Sequence, residues 1–559
     1  MTTSPVPPID GVVPWPSDIA ERYREAGYWT GASIGSHIAE QVASRPDDIA
    51  LVDGSTRLTY RQMWDRAGGC AQFLLDIDVR PGERIVLQLP NSWEFVVLTL
   101  ACFRVGIVPV MALLAHRRHE LTHLAALSEA TAIVIADSDR DTDLREIAHE
   151  IAADVPSVRN VVVHGELSTG TTTAPEHSLA TGTMSERPVD LDTYEPTGSD
   201  VACFLLSGGT TGLPKLIVRT HDDYSYNILR CSEVTGFDSD TVYLGALPSS
   251  HNFPLACPGI LGALFVGGRA VMLPSPAPER ALRTIDQESV TVATAVPAVA
   301  QAWIEYQREH RTMTGTSLAV LQVGGSRMPD ELAARVGPVL GAKLQQVFGM
   351  AEGLINMTRL DDDDEIVTTT QGRPVSEADE VIVVDEVGDP VPDGTPGLLL
   401  TRGPYTPRGY FRAPEHNARA FTPDGWYGSG DIVVRRPDGN LVVAGRDKDM
   451  INRAGEKISA EEIENFAYQI DGVEMAAAIA MPDPVLGERL CLYVTPARGR
   501  TITLGDVLEV MNAAGVARFK LPERLVVVDA MPTTKVGKID KKAMREDIRD
   551  RLVREGSAT

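Results

Sequence analysis

Cysteine is scarce in this chain. Six occur in 559 residues, and no two form a C-x-x-C pair. Cys70, Cys102, Cys203, Cys231, Cys257 and Cys491 sit mostly in apolar runs. They read as reduced core thiols, which fits the cytoplasm. Excess positive charge is also lacking. Lys and Arg total 52 against 77 Asp and Glu, a formal net charge of −25. That balance speaks against nucleic acid as a partner, because attraction to phosphate dominates such affinity. Met1 to Pro16 is rich in proline and lacks a basic-then-apolar leader pattern. The longest apolar stretch, Phe95 to Ala115, is broken by Arg104, Gly106 and Pro109. It reads as a buried helix, a turn and the strand Val108 to Met111, so no membrane span is expected. Two common phosphate-binding patterns are missing as well: neither G-x-x-x-x-G-K-[ST] nor G-x-G-x-x-G occurs at the glycine-rich stretch described next.

That stretch is Ser207-Gly208-Gly209-Thr210-Thr211-Gly212-Leu213-Pro214-Lys215. The apolar run Val201 to Leu206 before it and Leu216-Ile217-Val218 after it read as strands. Glycines let the backbone turn tightly and approach a ligand. Backbone N–H groups, hydroxyls and a lysine suit phosphate oxygens. Pro214 and the β-branched residues beyond it oppose a helix start, so this is a strand–loop–strand phosphate clasp.

The chain is too long for one core, so at least two domains are expected. Helix and strand signals alternate from Asp18 to about residue 345, which implies mostly parallel sheet with helices on both faces. Residues 1–16 read as a loose arm and 166–200 as a surface loop. Thr220 is placed to cap a helix starting at His221. The acidic run Asp361 to Glu365 reads as a solvated loop. Between 376 and 445, short strands separated by Asp-Gly turns predict an antiparallel subdomain. Beyond it, Ser459 and Glu462 form a capping box, and the remaining pattern predicts a compact α+β unit.

The clasp resembles the phosphate loop of the adenylate-forming superfamily, which includes acyl- and aryl-CoA synthetases, luciferases and nonribosomal-peptide adenylation enzymes. Leu216 stands where the family has glycine after Pro-Lys, a departure expected of aryl-acid members. Further motifs follow in the family's order, and the resemblance runs from about residue 18 to 548. It implies an arm at 1–17, an adenylation core at 18–445, a hinge at 446–449 and a mobile C-terminal domain at 450–559. Ser207, Gly208, Gly209, Thr210, Thr211 and Lys215 would hold ATP phosphates. In Gln345 to Gly353, Val347 would line the purine site, Phe348 would stack on adenine, and Glu352 would help hold Mg²⁺, which takes few protein ligands. Ala351 replaces the usual threonine and removes a hydroxyl. Gly324 and Gly325 would let a flat ring approach the backbone. Asp431 resembles the ribose ligand, Arg446 an arginine near ribose and phosphate, Lys448 the hinge residue, and Lys538 the lysine that enters from the small domain.

The stretch Ser249 to Gly259 resembles the aryl-acid pocket of siderophore-type members. His251 would face the substrate carboxylate and Asn252 the ortho-hydroxyl, with Phe253 beside them. Amino-acid-activating relatives often carry Asp at position 252, so a neutral Asn argues for an acid without an amine. Activators of 2,3-dihydroxybenzoate often have Ser where Cys257 stands and Val where Ile355 stands. A thiol is a weak hydrogen-bond partner, and Ile355 adds a methylene. Both changes favour salicylate. The expectation is a stand-alone aryl-acid adenylating enzyme, similar to the salicylate–AMP ligases that initiate mycobactin-type siderophores. About twenty residues follow Lys538, too few for a carrier domain. The acceptor is therefore expected to be the phosphopantetheine thiol of an aryl carrier protein on a separate chain. A basic cluster (Arg518, Lys520, Lys535, Lys541, Lys542, Arg545) is a candidate carrier contact. A 2,3-dihydroxybenzoate ligase, an aryl-CoA ligase and a nucleotide-binding regulator without chemistry stay open as alternatives.

Overall fold

In the computed structural model, residues 6–555 are described, except 171, 185–190, 192–193, 208–213, 316, 386, 447–448, 454–455, 484–485, 515, 517–519 and 535–537. Alternating strand and helix signals over the first 375 residues produce two large sheets, not one. The first runs Leu216–Thr220, Val201–Leu206, Val108–Met111, Arg84–Gln88, Ala132–Ala136, Asn160–His164 and Glu176–Ser178. Among the described residues, only the clasp hairpin, Val201–Leu206 with Leu216–Thr220, is antiparallel in it. Among the described residues, the second sheet has nine strands. Its centre pairs Lys343–Gly349, Val320–Gly324, Val292–Ala295, Val242–Gly245 and Arg269–Met272 in parallel. The strands of both sheets are apolar nearly throughout because helices cover both faces. The interrupted apolar stretch forms the helix Trp93–Val105, ended by left-handed Gly106, and then the strand Val108–Met111. Among the described residues, no helix is long and apolar enough to cross a membrane.

An antiparallel sheet of four strands follows, Glu380–Val384, Pro396–Arg402, Tyr427–Arg435 and Leu441–Arg446. The last unit builds its own sheet from Ile451–Arg453, Glu456–Ile458, Val473–Asp483, Gly487–Pro496 and Arg524–Val527. Two apolar clusters flank it, one under Ala460–Tyr468 and Leu504–Ala513, the other under Lys541–Arg554.

Four local expectations change. The stretch read as a loose arm is held down from residue 6. Arg412 N–H donates to Gly11 O (3.1 Å), and Trp15 packs edge-on against Tyr23 and Trp29. Such contacts join distant residues and leave no local period. The loop at 166–200 contains the edge strand Glu176–Ser178, and Leu179, Thr183 and Leu191 are buried. An edge strand bonds through backbone alone, so side-chain pattern is a poor guide to it. The acidic run begins a helix, Asp364–Thr369, whose first turn favours acids. The capping box is half made. Ser459 Oγ accepts from Glu462 N–H, while the Glu462 carboxylate turns to Lys520 Nζ (2.7 Å).

Candidate active site

Gly324, Val347 and Phe348 lie at the C-terminal ends of central parallel strands of the nine-stranded sheet, where open α/β sheets bind ligands. Gly324 ends one strand, and Val347 and Phe348 lie near the end of its neighbour. A third parallel strand, Val242–Gly245, runs on into a loop fixed by Asn91. Its amide donates to Leu247 O (2.8 Å) and Leu273 O (2.9 Å) and accepts from Ser249 N–H (2.8 Å). This loop delivers His251, which caps the short helix Asn252–Ala256.

His251 Nδ1 accepts from Phe253 N–H (3.3 Å), so in the neutral ring the proton sits on Nε2. Burial, and then the charge of Lys538, push its pKa down to about 4. A neutral imidazole therefore offers a donor N–H to an acid. Asn252 is buried. Its Oδ1 accepts from Tyr224 Oη (2.9 Å), and its Nδ2 donates to Cys257 Sγ (3.3 Å). Phe253, Cys257, Val347 and Ile355 share one apolar cluster with Cys231, Met357, Tyr226 and Tyr405. Only glycine fits at 324, where an added Cβ would lie 2.9 Å from Val347 O and 3.1 Å from the Phe253 ring. These residues form the candidate acid slot, an apolar cluster adjoining the His251-capped helix that carries Asn252.

Lys538 reaches this slot from the last unit. A Cβ built on Gly325 would stand 3.4 Å from Lys538 Cε, and Gly325 has a φ of +88°. Lys538 N–H donates to Thr534 Oγ1 (3.2 Å), which steadies the turn presenting it.

The phosphate side is assembled around Tyr410. Its hydroxyl donates to Glu352 Oε1 (2.8 Å), and Lys215 Nζ lies 5.2 Å from the centre of its ring. Lys215 and Glu352, 137 positions apart in the chain, thus share one neighbour. Ser207 and Lys215 clamp the base of the clasp through Ser207 N–H to Lys215 O and Lys215 N–H to Ser207 Oγ, both 3.0 Å. Ala351 O accepts from Arg219 (3.2 Å), a fully buried guanidinium paired with Asp223 (2.6 Å). Phe348 is half-buried, beside Leu354. Asp431 is buried and stands opposite Arg446 across two antiparallel strands. Gly208, Gly209, Thr210, Thr211 and Lys448 lie outside the described residues.

Tyr410, Tyr224, Arg219 and Asn91 were not foreseen. Arg219 carried a signal, a charge at the end of an apolar strand. The other three had none, because their partners are distant in sequence. The basic cluster needs correction. Lys520 pairs with Glu462, Lys541 with Glu464 (2.7 Å) and Arg545 with Asp449, which leaves Lys542 exposed. Arg518 and Lys535 lie outside the described residues. Among the described residues of the cluster, acids from other segments pair with three of the four cations.

Known proteins resemble this chain over nearly its whole length. The family described as AMP-binding enzyme matches residues 38–411, and the AMP-binding enzyme C-terminal domain matches 462–538. A salicylyl-CoA synthase / salicylate adenylyltransferase of a Streptomyces species is 56% identical, covering 97% of this chain and 98% of that one. A salicyl-AMP ligase / salicyl-S-ArCP synthetase of Mycobacterium tuberculosis is 45% identical, over 97% of this chain and 95% of that one. The apo structure of MbtA from Mycobacterium smegmatis superposes with a TM-score of 0.73 at 43% identity, over 96% of this chain and 98% of that one.

Proposed function

Since the chain belongs to the AMP-binding enzyme family, we propose that it activates salicylate with ATP and then passes the salicyl group to a thiol. In the first step a carboxylate oxygen attacks the α-phosphorus of ATP. The bond from that phosphorus to the β-bridging oxygen breaks, and pyrophosphate leaves as salicyl-AMP forms. In the second step a thiolate adds to the acyl carbon and AMP departs. The observation that carries this reading is the slot beneath Lys538, where neutral His251 and Asn252 are the polar groups over an apolar floor.

Lys538 supplies positive charge where negative charge grows on the α-phosphate. The His251 Nε2–H orients the carboxylate. Gly324 and Gly325 admit the ring, and Phe253, Cys257, Ala351 and Ile355 bound it. Val347 and Phe348 receive adenine. Asp431 accepts from the ribose hydroxyls, with Arg446 near the ribose and phosphates, and the 207–215 clasp with Lys215 holds the phosphates. Glu352 suits Mg²⁺, being a buried carboxylate with an oxygen steadied by Tyr410. A small hard cation takes one or two carboxylates and completes its shell with phosphate and water. When bound, it neutralises phosphate charge.

Residues 446–449, with Lys448, serve as the hinge between the core at 18–445 and the C-terminal unit at 450–559. Rotation there exchanges the surface facing the adenylate between the two steps. The thiol belongs to a phosphopantetheine arm on a separate aryl carrier protein. Coenzyme A is the second reading, favoured by the 56% identical relative's description as a salicylyl-CoA synthase. Six free, buried cysteines suit a reducing cytoplasm. The test is pyrophosphate exchange into ATP with salicylate, 2,3-dihydroxybenzoate and benzoate, followed by thioester formation with holo-carrier or coenzyme A. Salicylate should lead the exchange. Activation of none of the three acids would sink the reading, and a faster thioester with coenzyme A would decide the acceptor.

A further inference from the structure

An asparagine amide is two-faced. Turned one way it offers N–H to a ligand, and turned the other way it offers oxygen. What surrounds Asn252 decides the face. Tyr224 lies on the helix His221–Thr235 and is fully buried. Its hydroxyl is 2.9 Å from Asn252 Oδ1. The Arg219 guanidinium stands 4.6 Å from the centre of the Tyr224 ring and is held there by Asp223 at 2.6 Å. A cation over the ring draws electron density from the phenol oxygen, which strengthens it as a donor and weakens it as an acceptor. Burial also raises the Tyr224 pKa well above its ordinary value, so the proton stays. The tyrosine therefore donates, and the amide oxygen turns toward it. The amide nitrogen then faces Cys257 Sγ at 3.3 Å. One N–H is used on the thiol, and the second makes no hydrogen bond among the described residues.

We propose that Tyr224 is a specificity-positioning residue: it fixes Asn252 as a donor, so that the slot selects an acceptor atom ortho to the substrate carboxylate. The inference rests on the aryl-acid reading above. Salicylate meets the requirement. Its hydroxyl donates to its own carboxylate and leaves oxygen lone pairs facing outward. Anthranilate does not. One amine N–H makes the same internal bond, and the other points at the Asn252 N–H, donor against donor. Benzoate, with no ortho group, neither gains nor clashes.

The wild-type protein should rank salicylate above benzoate and benzoate above anthranilate in kcat/KM for adenylation, read by pyrophosphate exchange. In Tyr224→Phe, which removes one oxygen, the amide can turn. The salicylate to anthranilate ratio should fall at least tenfold, and benzoate should fall less than salicylate. A merely structural tyrosine would lower all three acids alike, and that pattern overturns the proposal. So does wild-type anthranilate activity equal to benzoate, which needs no variant at all. Should Tyr224→Phe be insoluble, Asn252→Asp places an acceptor at the same point and should shift preference toward anthranilate; an unchanged ranking there is equally fatal. Wild-type exchange with none of the three acids overturns the aryl-acid reading itself, and this inference with it.

Discussion

Arg219 and Asp223 form an ion pair with side-chain exposures of 0% and 1%. The Asp223 carboxylate also accepts from Thr220 N–H (2.7 Å) and Thr220 Oγ1 (2.8 Å), so it caps the helix His221–Thr235. Replacing Arg219 with Met leaves that carboxylate buried without its cation. Asp223→Asn leaves the guanidinium stranded instead. Breaking one side of such a pair typically destabilises by about 3–5 kcal/mol, whereas exchanging both partners for neutral groups is often close to neutral. The double variant R219M/D223N keeps an oxygen for the cap but loses the donor to Ala351 O. That lost bond amounts to about 1 kcal/mol. Two single losses of about 3–5 kcal/mol each, against about 1 kcal/mol for the double variant, give a coupling of about 5–9 kcal/mol in a double-mutant cycle, above the roughly 3 kcal/mol usual for contacting residues. Urea unfolding of the four proteins, followed at the transition of the large unit, measures it directly. Additive single effects, with coupling below about 0.5 kcal/mol, would refute the view that the two charges stabilise one another.

Three other outcomes follow from the site. Lys538→Ala should lower salicylate-dependent exchange by roughly 10²–10³-fold, the usual loss when one preorganised charge is removed, while unfolding in urea is unchanged; an effect under threefold would remove Lys538 from the chemistry. Cys257→Ser gives a 3-hydroxyl a partner whose absence costs about 1–3 kcal/mol, so the ratio of 2,3-dihydroxybenzoate to salicylate in kcat/KM should rise by roughly 5- to 150-fold; a fixed ratio in active protein means that the thiol does not meet the ring. Burial pushes the Asp379 carboxyl up to about 8, and Tyr405 donates to it. The folded state therefore binds a proton that the unfolded chain releases near pH 4. The stability from this group is present below pH 4 and is lost at about 1.4 kcal/mol per pH unit as pH rises toward 8. The Tm advantage of Asp379→Asn over wild type should widen across that range, and parallel Tm curves would contradict it.

Much of the molecule was legible in the chain. Buried parallel strands must be apolar on both faces, so unbroken apolar runs such as Ala132–Ala136 announce themselves. Helix starts are written in local chemistry, as at Thr220, where a hydroxyl and Asp223 close a capping box. The site motifs were readable because each is short and contiguous: glycines that must admit a ring, a lysine beside glycine, a histidine next to asparagine. What the chain by itself could not decide were relations between distant segments. Nothing near Tyr410 says that it will bridge Lys215 and Glu352. Nothing near Lys541 says that Glu464, far off in the chain, will pair with it. Nor does position 252 reveal which face of its amide looks into the slot, since Tyr224 on another helix determines that. Local sequence fixes backbone preference and burial pattern through forces acting over a few residues. Hydrogen-bond direction and charge compensation depend on which groups share a volume from which water is excluded, and only the tertiary structure assigns them to it.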